Sequence, residues 1–186
     1  KMLTTTYTPT LLTASLVIDA INAYRPDWLY MNKTELMRLV LYSNRTGKKI
    51  MHPKFYDPIS EKVDENNRKL FIKTMGEGIV DSYGSAETGA CMLRRPGDER
   101  YVIHHDSFMV QIRDEEGRDA DEGTLVITPL YKTDLPLINY AIGDKASCVR
   151  ENGVRYITSI HGRMNDLVKH ENGADSSALQ LMRIAN

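Results

Sequence analysis

Residues 78–90, GIVDSYGSAETGA, join a short apolar run to a series of small residues that contains one further acid. The pair Ile79–Val80 predicts a buried strand that continues to Tyr83. Gly84 and Gly89 permit tight backbone turns and the close approach of a ligand. Ligands of open parallel sheets bind beyond the carboxyl ends of the strands. We therefore expect this strand to end in a loop that lines a binding site.

The segments before this stretch alternate between helix and strand. A helical pattern of apolar residues stops at Pro26, and the apolar run WLYM at 28–31 predicts a strand. Asn32 or Thr34 then caps a second predicted helix, which stops at Gly47. Strands that alternate with helices are typical of parallel β-α units. The apolar residues of the first helix are Leu12, Leu16, Val17, Ala20, Ile21 and Tyr24.

Two further elements complete the first half of the chain. KKIM at 48–51 predicts a second strand. An amphipathic pattern from Ile59 to Met75 predicts a longer helix, which ends at Gly76. The inward residues of that helix are Val63, Leu70 and Phe71.

After position 100 the pattern changes to strands and turns. Residues 101–114 and 123–130 are predicted strands, and the turn-rich sequence EEGRDADEG lies between them. Asn152-Gly153 predicts a β-hairpin, and Asn172-Gly173 repeats the same signal. The second half is therefore predicted to be mainly antiparallel.

Together these patterns predict an α/β fold with two subdomains and a final segment. A parallel β-α layered subdomain occupies residues 1–98, and a small antiparallel β-barrel-like subdomain occupies residues 99–164. Residues 165–186 follow as the last segment. A chain of 186 residues is long enough for one sizeable domain or two small ones.

Composition excludes several classes of function. The apolar fraction of 41% and the charged fraction of 26% are those of an ordinary globular protein. A formal net charge of -1 indicates neither a nucleic-acid partner nor an anionic membrane surface. The most apolar early stretch is shorter than the roughly 20 residues that a membrane span requires. Two distant cysteines make no disulfide framework, so we expect a reducing, cytoplasmic location.

Two side chains of the quoted stretch suit nucleotide chemistry. Tyr83 offers a flat face for a purine ring, and Glu87 is a hard oxygen ligand suited to Mg²⁺ beside phosphates. A plainer interpretation is that Gly and Ser simply form a turn and that Glu87 is solvated. Local chemistry alone leaves both interpretations open.

The segment DSYGSAETGA resembles the YG-x-T-E motif of the adenylate-forming superfamily, which includes acyl-CoA ligases, luciferases and peptide-synthetase adenylation domains. The resemblance implies that Tyr83 stacks on adenine, that Gly84 and Ser85 border the nucleotide, and that Glu87 binds Mg²⁺. Ala86 stands where the family usually has Thr or Ser.

Two later segments resemble further motifs of the same superfamily. PLINYAIGDKA at 136–146 is similar to its Y-R-T-G-D motif, which implies that Asp144 binds the ribose hydroxyls of ATP or AMP. IHGRMNDLVKHENG at 160–173 is similar to the hinge motif, which implies that Arg163 approaches ribose or phosphate. Asn165 would then be the hinge, and residues 165–186 would begin the carboxyl-terminal lid. At three positions of these two motifs the residues differ from the usual ones, namely Ala141 for Arg, Ile142 for Thr and Asn165 for Asp or Lys.

Nearly the whole chain resembles the phenylacetate-CoA ligase-like branch of this superfamily. That resemblance implies a carboxylic acid substrate, the cofactors ATP or AMP, Mg²⁺ and coenzyme A, and leaves a homodimer open. It also implies that the stretch HPKFYDPIS borders adenine through Tyr56, Asp57 and Pro58. Some members of the branch hold zinc, and the residues nearest to those places are Cys91, His104, His105 and Cys148; buried unpaired thiols are the alternative.

The family's phosphate-binding loop and its lid lysine have no match in these residues. Adenylation requires both, because they neutralise charge on the transferring phosphoryl group. We therefore expect a part of a longer ligase, with no catalytic residue in this part. The rival hypothesis is a degenerate nucleotide-binding or interaction module, which Ala86, Ile142 and Asn165 favour. A third possibility is an α/β domain without a ligand.

Overall fold

The computed structural model describes residues 13–61, 63–163, 167–169 and 175–177. The chain divides into two compact units, one formed by residues 1–83 with 93–98 and the other by residues 84–92 with 99–186. A two-stranded parallel sheet and a separate, mainly antiparallel sheet of seven strands confirm the predicted α/β fold. The predicted start of a lid at 165 lies at residues outside the described ranges.

The first unit contains three helices and the parallel pair of strands. Strand β1 pairs with β2 in register, so that Trp28 lies opposite Phe55 and Met31 opposite Pro58. One further parallel bridge joins Tyr56 to Ile79. The elements are α1 (Ala14–Tyr24), β1 (Trp28–Asn32), α2 (Lys33–Thr46), β2 (Phe55–Ile59) and α3 (Glu65–Met75).

Local capping explains where α2 and α3 begin and end. The Asn32 side chain accepts a hydrogen bond from the Thr34 N–H at 2.9 Å, which settles the two predicted caps in favour of Asn32. Asp64 caps α3 by accepting from the Asn67 N–H at 3.0 Å. Both helices end at a glycine with positive φ, Gly47 at 74° and Gly76 at 89°, as predicted.

The prediction of a strand at 48–51 is wrong, and so is the start of the third helix at Ile59. Residues 48–51 have no regular structure, and the second strand is Phe55–Ile59, a run that contains a proline. At Pro58 the described neighbour is β1 alone, and a proline is tolerated where only one edge of a strand is paired. Because Ile59 ends this strand, α3 begins only after the cap at Asp64.

Helix α1 forms where predicted, and its buried face agrees with the predicted one in part. Val17 and Ile21 are buried as predicted, together with Ala14 and Ile18, whereas Leu16 is 68% exposed. The helix carries two apolar stripes, and the stripe with three β-branched residues packs into the core. That core also holds Leu36, Leu39, Val40, Phe71 and Met75.

The seven-stranded sheet has the order β3-β4-β5-β9-β8-β7-β6. Strands β8 and β9 form the predicted hairpin, with Asn152 and Gly153 both at positive φ. Strands β10 and β11 pair antiparallel on either side of the second predicted turn, which itself lies outside the described residues. The strands are β3 (Asp81–Ser85), β4 (Gly89–Arg94), β5 (Tyr101–Ile103), β6 (Phe108–Arg113), β7 (Glu122–Pro129), β8 (Tyr140–Glu151), β9 (Val154–Arg163), β10 (Leu167–Lys169) and β11 (Asp175–Ser177).

Within the described part of the chain, no helix is long and apolar enough to cross a bilayer.

Two truncations on the same helix test the buried face of α1. Ile18 is fully buried, so Ile18→Ala should lower the free energy of unfolding by about 2–5 kcal/mol. Leu16→Ala removes an exposed side chain and should change it by no more than about 0.5 kcal/mol. Urea unfolding of both variants measures the difference, and equal losses would contradict this face of the helix.

Candidate functional site

The stretch from Tyr83 to Glu87 is a hairpin rather than the open end of a parallel strand. Strand β3 runs to Ser85, a turn occupies residues 86–88, and β4 starts at Gly89. The expectation that this stretch ends a strand of the parallel sheet is therefore wrong. Among the residues that the structure describes, the parallel contact of this stretch is the bridge between Tyr56 and Ile79, and β3 itself begins the seven-stranded sheet.

Glycine is required at position 84 because the chain's own backbone approaches it. A Cβ atom on Gly84 would lie 2.1 Å from the carbonyl oxygen of Gly89 and 2.6 Å from the Cα of Ala90. Gly89 has a φ of 80°, which favours glycine there too. The sequence predicted tight backbone turns and the close approach of a ligand at these glycines. In the structure the group that approaches Gly84 is the backbone of the neighbouring strand, and the approach of a ligand stays a prediction.

Hydrogen bonds inside the turn engage the hydroxyl groups of Ser85 and Thr88. The Thr88 N–H donates to Ser85 Oγ at 3.2 Å, and the two hydroxyl oxygens lie 3.1 Å apart. Thr88 is fully buried and donates to the Gly89 carbonyl at 3.1 Å. Ala86 and Glu87 are exposed at the tip. The turn thus presents a methyl group and a carboxylate to solvent.

Two residues that the sequence did not single out hold this turn from the other side. The Tyr131 hydroxyl donates to the Thr88 carbonyl at 2.8 Å, and Lys132 Nζ donates to the Glu87 carbonyl. The Tyr131 ring packs edge-on against Phe108, with ring centroids 5.5 Å apart. More than 40 residues separate Tyr131 and Lys132 from the turn, so no local pattern reveals the contact.

Two buried carboxylates lie at the start of β3, within the first unit. Asp57 is 1% exposed and accepts from the Ser82 hydroxyl at 2.6 Å and from the Ser82 N–H at 3.2 Å. Asp81 forms an ion pair with Arg94 at 2.6 Å. Burial raises the pKa of Asp57 above its usual value, although the two bonds from Ser82 oppose the shift. Ser82 directly precedes Tyr83, so Asp57 fixes the backbone next to the proposed stacking residue.

Tyr56, Asp57 and Pro58 were expected from resemblance to border adenine. All three are buried in β2, where the Tyr56 hydroxyl donates to the Gly76 carbonyl at 2.8 Å. Burial raises the pKa of Tyr56. Their side chains are therefore committed to the interior of the first unit, and a contact with adenine stays a prediction.

Asp144 and Arg163 lie opposite each other on β8 and β9 as Cα partners. The glycine before Asp144 has a φ of 94° with open space around it, and this Gly-Asp pair lies within a strand rather than in a turn. Pairing of the two strands therefore brings together two residues that the sequence placed in separate motifs. Asn165, the predicted hinge, lies outside the described residues.

Both cysteines are buried and neither forms a disulfide, which confirms the predicted burial of the thiols. Burial raises the pKa of Cys91 to about 12 and raises that of Cys148. The backbone N–H of His104 donates to the Cys91 carbonyl at 3.0 Å. Among the residues that the structure describes, no group of three or more His, Cys, Asp or Glu side chains is placed to hold a metal. The expectation of zinc at Cys91, His104, His105 and Cys148 gains no support from this arrangement.

Comparison with solved structures identifies the fold. The chain matches no known family model and no curated protein. It is similar in fold to 2-hydroxyisobutyryl-CoA ligase in complex with 2-HIB-AMP, with a TM-score of 0.75 and 16% identity over 88% of this chain and 38% of that one. A structure of that ligase in an open conformation contains both 2-HIB-AMP and CoA.

Two further structures give the same result. The anthranilate CoA ligase AuaEII in complex with anthranoyl-AMP has a TM-score of 0.64 and 19% identity, over 92% of this chain and 36% of that one. The ATP-bound RpMatB-BxBclM chimera has a TM-score of 0.62 and 17% identity, over 90% of this chain and 36% of that one.

The chain spans well under half the length of these solved proteins. At these identities the comparison concerns the fold alone. The structure therefore has the fold of part of an adenylate-forming CoA ligase.

Replacing Gly84 with alanine tests the close backbone contact in the hairpin. The added methyl group would collide with the Gly89 carbonyl, so Gly84→Ala should lower the free energy of unfolding by about 1–3 kcal/mol or more. Gly97→Ala is the control, because its Cβ meets open space and the cost is only backbone strain of about 1–2 kcal/mol. Hydrogen exchange at the Thr88 amide should accelerate in the first variant alone. Unchanged exchange at Thr88 in Gly84→Ala would contradict the contact.

Buried Asp57 predicts a pH dependence of stability. Because its pKa is raised in the folded state, Asp57 ionises first in the unfolded chain, and stability falls as pH rises through the raised pKa. Asp57→Asn should lack this loss, so urea unfolding should show the parent losing stability relative to the variant as pH rises above about 4.

Asp114 provides a control of opposite sign. The hydrogen bond from the Arg118 N–H is the main cause that lowers the pKa of Asp114. The stability that ionised Asp114 contributes to the fold is therefore lost as pH falls. A flat difference curve for Asp57→Asn would show that the buried carboxyl has an ordinary pKa.

Proposed function

We propose that the protein containing this chain is an adenylate-forming ligase. It activates a carboxylic acid with ATP to an acyl-adenylate and pyrophosphate, and then transfers the acyl group to the thiol of coenzyme A with release of AMP. The observation that carries the proposal is the fold shared with CoA ligases over most of this chain. The phenylacetate-CoA ligase-like branch and a cytoplasmic location are parts of the same proposal.

In this proposal the chain contributes binding residues and no catalytic residue. Tyr83 stacks on adenine, and Gly84 and Ser85 border the nucleotide. Asp144 accepts hydrogen bonds from the two ribose hydroxyls, which its charge strengthens. Arg163, which is the strand partner of Asp144, is proposed to approach ribose or phosphate. Asn165 is the proposed hinge of a lid.

Glu87 fits the role of a magnesium ligand. It is exposed at the tip of the turn, and magnesium commonly takes one or two carboxylates while phosphates and water complete its shell. When bound, the ion would offset negative charge on the phosphates. Glu87 would supply one oxygen ligand, and the hydrogen bond from Lys132 to its carbonyl holds the turn in position.

The second candidate function is a non-catalytic nucleotide-binding or interaction module on the same scaffold. The observation that favours it is Ala86, which presents a methyl group where the family has a hydroxyl. The turn's remaining hydroxyls are engaged by internal hydrogen bonds. Such a module would bind a nucleotide and release no pyrophosphate.

Carboxylate-dependent exchange between ATP and labelled pyrophosphate tests the proposed reaction. We expect exchange with at least one acid of a panel of aryl and fatty acids. Glu87→Gln should reduce it about 100-fold or more, since a charge-stabilising group is lost. The control is Glu116→Gln, which neutralises a surface acid on the turn between β6 and β7 and should leave the rate unchanged. Nucleotide binding without exchange for any acid would favour the non-catalytic module.

A further inference from the structure

We propose that Lys132 is a phosphate-binding residue that replaces the hydroxyl missing at Ala86. The inference rests on the proposed function, because it assumes that the Glu87 turn faces the phosphates of ATP. It adds a residue from outside the three motifs. The ligand group is the polyphosphate of the nucleotide.

The first observation is the position of the Lys132 ammonium. Its Nζ donates to the carbonyl of Glu87, so a positive charge lies at the turn that carries the proposed magnesium ligand. An ammonium has three N–H groups, and one is used by this carbonyl. Two donors therefore remain for phosphate oxygens beside the tip. The side chain is half-buried, which limits the conformations that it can adopt.

The second observation is that the neighbouring Tyr131 fixes this lysine in place. The Tyr131 hydroxyl donates to the Thr88 carbonyl at 2.8 Å while its ring packs edge-on against Phe108. A Cβ atom on Gly89 would lie 2.6 Å from the Tyr131 hydroxyl oxygen, so glycine at 89 makes room for this contact. A charge that is already in position loses little conformational entropy when a ligand binds.

The third observation is the shortage of side-chain donors in the turn itself. The Ala86 side chain carries none, and Thr88 is fully buried with its hydroxyl bonded to the Gly89 carbonyl. The Ser85 hydroxyl is 3.1 Å from that of Thr88 and accepts from its N–H. A phosphate beside Glu87 therefore meets the Lys132 ammonium as a side-chain donor of this cluster.

A purely structural role is the alternative, in which Lys132 only stabilises the turn through its hydrogen bond to the Glu87 carbonyl. The two roles differ in the ligand that they affect. If Lys132 contacts phosphate, its loss weakens the binding of ATP and not that of adenosine. If it only stabilises the turn, its loss weakens the binding of both ligands by disturbing Tyr83 and the turn. The ratio of the two affinities therefore separates them, and it is insensitive to a moderate loss of stability.

The experiment measures dissociation constants for Mg·ATP and adenosine by calorimetry, on the protein that contains this chain. We expect Lys132→Met to weaken Mg·ATP about 10-fold while adenosine changes less than about 2-fold, as for the loss of one charge-assisted hydrogen bond. Lys132→Arg should keep most of the ATP affinity. The matched control is Lys69→Met, which removes the same charge from an exposed position on α3 and should change neither constant.

Each outcome bears on one of the two proposals. If the parent protein binds ATP and Lys132→Met keeps the parent ratio of affinities, the inference is wrong and the proposed function stands. If Lys132→Met weakens the binding of ATP and of adenosine equally, Lys132 only stabilises the turn and the inference is wrong. If the parent binds neither ligand, the proposed function fails and the inference fails with it.

Discussion

At Gly84 two backbone segments lie so close together that a Cβ atom would stand 2.1 Å from the Gly89 carbonyl oxygen. That contact lets the chain reverse within the three residues 86–88 and continue directly as β4. Because the reversal is so tight, Ala86 and Glu87 are pushed to the surface while Thr88 is buried. The carbonyls of Glu87 and Thr88 face the segment after β7, where Lys132 and Tyr131 donate hydrogen bonds to them.

Two buried carboxylates and their hydrogen-bond donors stabilise the start of the same strand. Asp57 and Asp81 are both buried, and each has a specific donor, the Ser82 hydroxyl in one case and Arg94 in the other. A buried carboxylate without such partners would cost several kcal/mol, roughly the stability of a small domain. These donors determine where β3 begins, so the residues beside Tyr83 are held by buried polar contacts. The strand is therefore fixed at its beginning by ion pairing and at its end by steric contact.

Local chemistry accounts for the elements that were predicted correctly. Asn32 and Gly47 delimit α2, and Asn152-Gly153 makes the β8–β9 hairpin, because a cap or a tight turn depends on residues within a few positions. Strand β2 was missed for the opposite reason. The run FYDPI is interrupted by an acid and a proline and has no alternating strand pattern, and it becomes a strand because β1 and Ile79 pair with it. The buried face of α1 likewise depended on which of two apolar stripes met the core.

The alternation of helix and strand patterns was enough to indicate an α/β fold. The residue types at Tyr83, Glu87, Asp144 and Arg163, in motifs that resemble those of a known family, suggested nucleotide chemistry. Chemical identity and spacing are properties of the chain itself. Only the tertiary structure placed Asp144 opposite Arg163, committed Tyr56 and Asp57 to the interior, and brought Lys132 to the turn of Glu87. Those relations join residues 19 to 45 positions apart or depend on burial. Strand pairing and packing create them, and no pattern within a short segment records them.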